Sequence, residues 1–173
     1  MPHLIQTALL IIFPALVIVA AMRDAVSFTI PNWISIALAA AFLPAALALG
    51  AGPAQIGLAL LIGLGTLIAG MGMFAVGWIG GGDAKLFAAA GLWMGLTALL
   101  PYVLVTALAG GGLAVTLLVL RSGWLQPLTV RAPGWMGRLA TPGENVPYGI
   151  AIAAGALAAF PESLLATLFR GLS

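Results

Sequence analysis

Apolar residues run along this chain in long blocks, broken by short stretches rich in polar residues, glycine and proline. A helix that crosses a bilayer needs roughly 20 predominantly apolar residues. Six blocks reach or approach that length: Leu4–Met22, Trp33–Leu49, Ile56–Ile79, Leu86–Leu100, Tyr102–Leu120 and Val146–Phe169. The pattern predicts an all-α polytopic membrane protein, a bundle of six transmembrane helices in a single domain over residues 1–173. The breaks carry the expected punctuation. Ile30-Pro31-Asn32 precedes the second block, Gly50-Ala51-Gly52-Pro53 divides the second from the third, and Gly80-Gly81-Gly82 is expected to end the third. The fourth block is short and Pro101 parts it from the fifth, so these two are expected to form a tight helical hairpin. The longest polar stretch, 121–145, holds Arg121, Arg131, Arg138, Glu144, Trp124 and Trp135 and is expected to be a cytoplasmic or interfacial loop.

Composition strengthens the membrane reading. Hydrophobic residues make up 63% of the 173 positions and charged residues 6%, where a soluble domain carries about 25% charged. Such a chain cannot cover a water-facing surface, and lipid is its expected solvent. A cleaved signal is not expected, because no Lys or Arg precedes Arg23 and a signal needs a basic n-region. The pI of about 9.7 rests on a net charge of only +2 and does not point to nucleic acid. With six spans, the loops at 23–32, 80–85 and 121–145 share one side, which carries Arg23, Lys85, Arg121, Arg131 and Arg138; the other side has Arg170. Cytoplasmic loops carry the excess of Lys and Arg. The shared side is therefore expected to be cytoplasmic, with both termini outside, and Asp24 and Asp83 then lie at one membrane face.

The chain has no cysteine and one histidine, His3. This leaves no cysteine nucleophile, no thiolate zinc site and no histidine cluster, and no metal or other cofactor is expected. The acids are Asp24, Asp83, Glu144 and Glu162. Glu162 falls near the outer end of the last block and reads as an interfacial charge. Glu144 reads as a solvated loop or helix-start residue. Asp24 alone could be an interfacial charge paired with Arg23, and Asp83 alone could be the N-cap of the fourth helix. Together they suggest more. Ionisable groups at the edge of a transmembrane bundle are costly and face its interior or a water-filled cavity. Two carboxylates held close do not both ionise readily and share a proton. The ionised member can act as base on a water while the protonated one polarises a carbonyl. Glycines beside Asp83 would let an extended peptide approach it closely. The glycine run lacks the spacing of a phosphate-binding loop. Thr66 and Gly70, and likewise Ala107 and Gly111, are four apart, a spacing that ordinarily serves helix packing in lipid.

Gly80-Gly81-Gly82-Asp83-Ala84-Lys85-Leu86 resembles the G-x-G-D-x-K-L signature of the prepilin peptidases. Asp24 followed by Ile30-Pro31-Asn32 resembles their first aspartate block, and Val146-Pro147-Tyr148-Gly149 is similar to their C-terminal Pro-Tyr-Gly block. The three blocks fall in the family's order and span nearly the whole chain. The length resembles the short Tad/Cpa-type members that serve Flp pili. The resemblance implies a multi-pass protein of the bacterial inner membrane that cuts the short leader from a type IV prepilin or pseudopilin at the cytoplasmic face. It implies Asp24 and Asp83 as the catalytic pair, with Gly80, Gly82 and Lys85 as supporting motif positions. The partners it implies are the precursor's leader and apolar helix, with membrane lipid around them. One departure is that Ala25 follows Asp24 where many relatives carry basic residues. Another is that the cysteine-bearing N-terminal domain of longer, methylating relatives has no counterpart here, so methyltransferase activity is not expected. Two other classes fit the residues alone: a small ion- or proton-coupled transporter, and a non-catalytic assembly subunit in which both acids merely cap helices.

Overall fold

The computed structural model describes residues 2–122, 141 and 146–172. Every regular element among these residues is helical: α1 (Pro2–Ser27), α2 (Asn32–Ala48), α3 (Pro53–Ala75), α4 (Gly81–Arg121), α5 (Tyr148–Ala159), a 3-10 turn (Phe160–Glu162) and α6 (Leu164–Arg170). Arg131, Arg138, Glu144, Trp124 and Trp135 of the expected polar loop lie outside the described residues.

Among the described residues the expected six spans are corrected to four helical stretches long and apolar enough to cross a membrane: His3–Ser27, Pro53–Ala75, Gly81–Arg121, which is bent back within its length, and Tyr148–Arg170. The second block gives a helix of 17 residues, a little under the roughly 20 that a bilayer asks for. The fourth and fifth blocks form one helical element, α4, and the break within it lies at Gly95 rather than Pro101. Gly95 has φ 65° and ψ −172°, a region essentially restricted to glycine. There the chain doubles back. Phe87 and Tyr102 stack with ring centroids 5.1 Å apart, and Tyr102 Oη donates to the Phe87 carbonyl at 3.1 Å. In a straight helix those residues would be about 22 Å apart. The arms are 81–94 (α4a) and 96–121 (α4b). An added Cβ at Gly95 would also press on Leu164 Cβ at 3.0 Å. Gly95→Ala is therefore expected to cost about 1–3 kcal/mol, seen as a lower melting temperature of the purified protein in detergent.

In lipid the bundle gains nothing from hiding apolar surface as such; close packing and interhelical hydrogen bonds hold it together. Trp93 on α4a is fully buried between Phe13 of α1 and Phe42 of α2, with ring centroids at 5.2 and 5.9 Å. Its indole N–H donates to the Leu38 carbonyl at 2.9 Å. Outward, Ile18, Leu61, Ile68, Leu108 and Leu118 are exposed, as lipid-facing positions should be.

The inner stripe of α1 decides where the first acid goes. Phe13, Val17, Ala20 and Asp24 recur at helical spacing, and all four are buried. Asp24 thus continues the core-facing row, one turn beyond its last apolar member. Arg23 is exposed.

Candidate active site

The third helix stops before the glycine run, at Ala75. Gly77 takes φ 76°, with Gly77 N–H bonded to the Phe74 carbonyl and Trp78 N–H to the Met73 carbonyl, both at 2.9 Å. This is the glycine-dependent way to close a helix C-terminus. It frees Val76–Gly80 to form a short loop over the ends of α1 and α4a.

α4a opens just after that loop. Asp83, which taken alone could have been the N-cap, occupies the third helical position and reaches back, so that Gly80 N–H donates to Asp83 Oδ2 at 3.0 Å. Asp83 Oδ1 is buried and makes no hydrogen bond among the described residues. Gly82 brings the two motif blocks together: an added Cβ there would lie 3.1 Å from the Ile30 carbonyl oxygen and 3.2 Å from Ile30 Cβ. The Gly-Gly-Gly-Asp block therefore packs directly on the Ile-Pro-Asn block.

Asp24 is held from the other end of the sequence. Gly149 N–H, at the start of α5, donates to Asp24 Oδ2 at 2.7 Å. The approach is so close that a Cβ on Gly149 would sit 2.8 Å from that oxygen and 2.8 Å from Ile30 Cδ1. Asp24 is 3% exposed and Asp83 7%, yet both line one cavity of about 440 Å³. Phe28, Phe74, Trp78 and Tyr148 wall it. Two carboxyls lining an aromatic-walled cleft, each anchored through one oxygen by a backbone amide, can hold a water and polarise a peptide carbonyl.

The remaining sequence candidates are placed as follows. Gly80 lines the cavity with the acids. Lys85 does not line it; its Nζ donates to Asn32 Oδ1 at 2.9 Å. Lys85 and Asn32 line a separate cavity of about 530 Å³ among α2, α3 and α4a. No ion pair joins Arg23 to Asp24 among the described residues. Glu162 is remote: Thr97, just past the Gly95 reversal, donates to its carbonyl at 2.8 Å, and about 18 Å of helix separates that reversal from Asp83. Among the described residues no group of three or more His, Cys, Asp or Glu side chains converges as a metal site would require. Sequence reasoning did not count Gly149 and Tyr148 as site residues. The signal was the Pro-Tyr-Gly block itself, a glycine at a helix start where a second backbone or side chain must come close.

The sequence model of the type IV leader peptidase family matches residues 11–115. That interval contains Asp24, Asp83 and the whole Gly80–Lys85 run and ends before Gly149. No curated protein and no solved structure matches the chain.

Proposed function

The chain belongs to the type IV leader peptidase family, a family of aspartic endopeptidases, and from that premise we propose that Asp24 and Asp83 are its catalytic carboxyls. One observation carries this reading: the two acids, from different helices, line a single cavity in which each keeps one oxygen anchored by a backbone N–H. Membership in an enzyme family also removes the main support for the transporter and assembly-subunit readings.

In the proposed reaction a water lies between the carboxyls. The ionised one takes a proton from the water as its oxygen attacks the scissile carbonyl carbon. The protonated one gives its proton to the carbonyl oxygen. The tetrahedral intermediate then collapses: the C–N bond breaks, the leaving amine takes up the proton held by one carboxyl, and a hydroxyl of the intermediate returns its proton to the other as the C=O bond reforms. The Gly80 and Gly149 amides keep both carboxyls oriented, so little reorganisation is needed at each step.

The substrate is a prepilin or pseudopilin of the Flp type, whose apolar helix reaches the site laterally from the bilayer while its leader stays in the cytoplasm. The cation distribution supports this orientation. Arg23 adjoins Asp24, Lys85 follows Asp83, and Arg121 ends α4b, whose 26 residues reach back past the level of Asp83. Arg170 bonds the Pro161 carbonyl, at the end of the bundle where Gly95 reverses the chain. The test is co-expression of the chain with a Flp-type precursor in a bacterial host lacking its own leader peptidase. A shortened product with a new N-terminus, by mass, is expected. Reporter fusions in 23–32 and 80–85 should both report the cytoplasm. A full-length precursor, or fusions reporting opposite faces, would overturn the reading.

A further inference from the structure

Ala107 and Gly111 have the spacing that lets helices close up in lipid, yet among the described residues Gly111 does not pack against a neighbour. A Cβ built on it meets no atom within 4 Å. Gly70 behaves differently, for a Cβ there would lie 3.1 Å from the Ala84 carbonyl oxygen. What Ala107 and Gly111 do is hollow out a cavity of about 280 Å³, between the end of α3 at Met73 and the face of α4b. No charged residue among those described lines it.

This cavity adjoins the carboxyls. Ile79 and Tyr148 line it and the aspartate cavity alike, so the two spaces meet along those side chains. An extended peptide advances about 3.3 Å per residue. Side chains just beyond a bond held at Asp24 and Asp83 therefore fall on Ile79 and Tyr148 and then into the second cavity. Its lining suits the membrane-embedded side of a precursor rather than a charged leader. Its α4b wall also borders lipid, where Leu104 and Leu108 are exposed.

We infer that the cavity between α3 and α4b is the subsite for the apolar side chains that follow the scissile bond, and that Ala107 and Gly111 set the size it accepts. This rests on the proposal that Asp24 and Asp83 perform the cleavage. Gly112 supplies an internal control: it too meets nothing within 4 Å, and it does not line the cavity.

Two measurements test the subsite. Gly111→Leu should slow cleavage of a precursor carrying Leu after the scissile bond by about ten-fold or more, and leave one carrying Ala there within about two-fold. Gly112→Leu should change neither. Because the chain has no cysteine, single cysteines can also be placed cleanly. In an Asp24→Asn background, Gly111→Cys should form an oxidative cross-link to a precursor cysteine two residues past the scissile bond, and Gly112→Cys should not. Equal behaviour of the 111 and 112 variants in both assays would overturn the subsite and leave the cavity to a lipid chain or a second copy of the protein. Failure of the dyad reading looks different: undiminished cleavage by Asp24→Asn, whichever variant cross-links.

Discussion

Asp24→Asn and Asp83→Asn should each reduce leader removal by about 10²–10⁴-fold, the usual contribution of positioned acid–base groups. The substitution is nearly isosteric. An Asn carbonyl oxygen can still accept from Gly149 N–H at position 24, or from Gly80 N–H at position 83, which are the bonds made by the carboxylates now. What disappears is the ability to take and return a proton. Stability should move in the other direction, if at all. Each carboxyl is more than nine-tenths hidden and has no ion pair among the described residues, and a buried charge without a cationic partner is costly. A neutral amide adds no buried charge and relieves the repulsion between neighbouring carboxyls, so both variants should insert normally and melt at or above the wild-type temperature. Cleavage is read by precursor mass and folding by thermal unfolding in detergent. Near-wild-type cleavage by either folded variant would remove that residue from the chemistry.

Gly149→Ala should be nearly as damaging for a purely steric reason. The new methyl would lie 2.8 Å from Asp24 Oδ2 and 2.8 Å from Ile30 Cδ1, and neither neighbour can retreat freely. Ile30 is buried and pressed against Gly82. The start of α5 must move away, which lengthens the 2.7 Å bond from Gly149 N–H and releases the Asp24 carboxyl. Misplacing a catalytic group by about 1 Å can cost about 100-fold in rate, and overpacking a tight contact costs about 1–3 kcal/mol. Gly65→Ala is the matched control, since a Cβ there meets nothing within 4 Å. Both effects should appear together at position 149 and neither at 65, in turnover of a purified precursor and in thermal unfolding. Full activity in Gly149→Ala would mean that the Pro-Tyr-Gly block does not hold Asp24.

Much of the fold was legible because lipid simplifies the problem. Long apolar blocks must be helices, since no water satisfies backbone groups in the bilayer. Block composition says less about where a helix reverses. Proline at 101 looked like the stronger breaker, yet it lies within α4b and is tolerated there. The reversal fell to Gly95, because a positive φ beside Leu164 requires a residue without Cβ. The glycine run at 80–82 looked like the end of the third helix; Gly77 performs that task, and the run instead opens α4a. The acids themselves stood out as rare charges in an apolar chain. Asp24 could have been assigned inward from Phe13, Val17 and Ala20 alone, because the row has helical spacing. Gly149 could not be reached in that way. Its contact with Asp24 spans 125 residues of sequence and depends on where α5 packs against α1, which no local pattern encodes. Lys85 shows the converse: it is adjacent in the motif but directed to Asn32 and a different cavity.

The most direct test of a shared site is a double-mutant comparison on purified protein and a synthetic precursor in defined lipid. Cleavage rates are measured for Asp24→Asn, Asp83→Asn and the two combined. Residues that act as one unit are strongly non-additive. The expected result is that removing both carboxyls costs no more than removing either. A double variant whose loss equals the product of two modest single losses would contradict the pairing of Asp24 with Asp83.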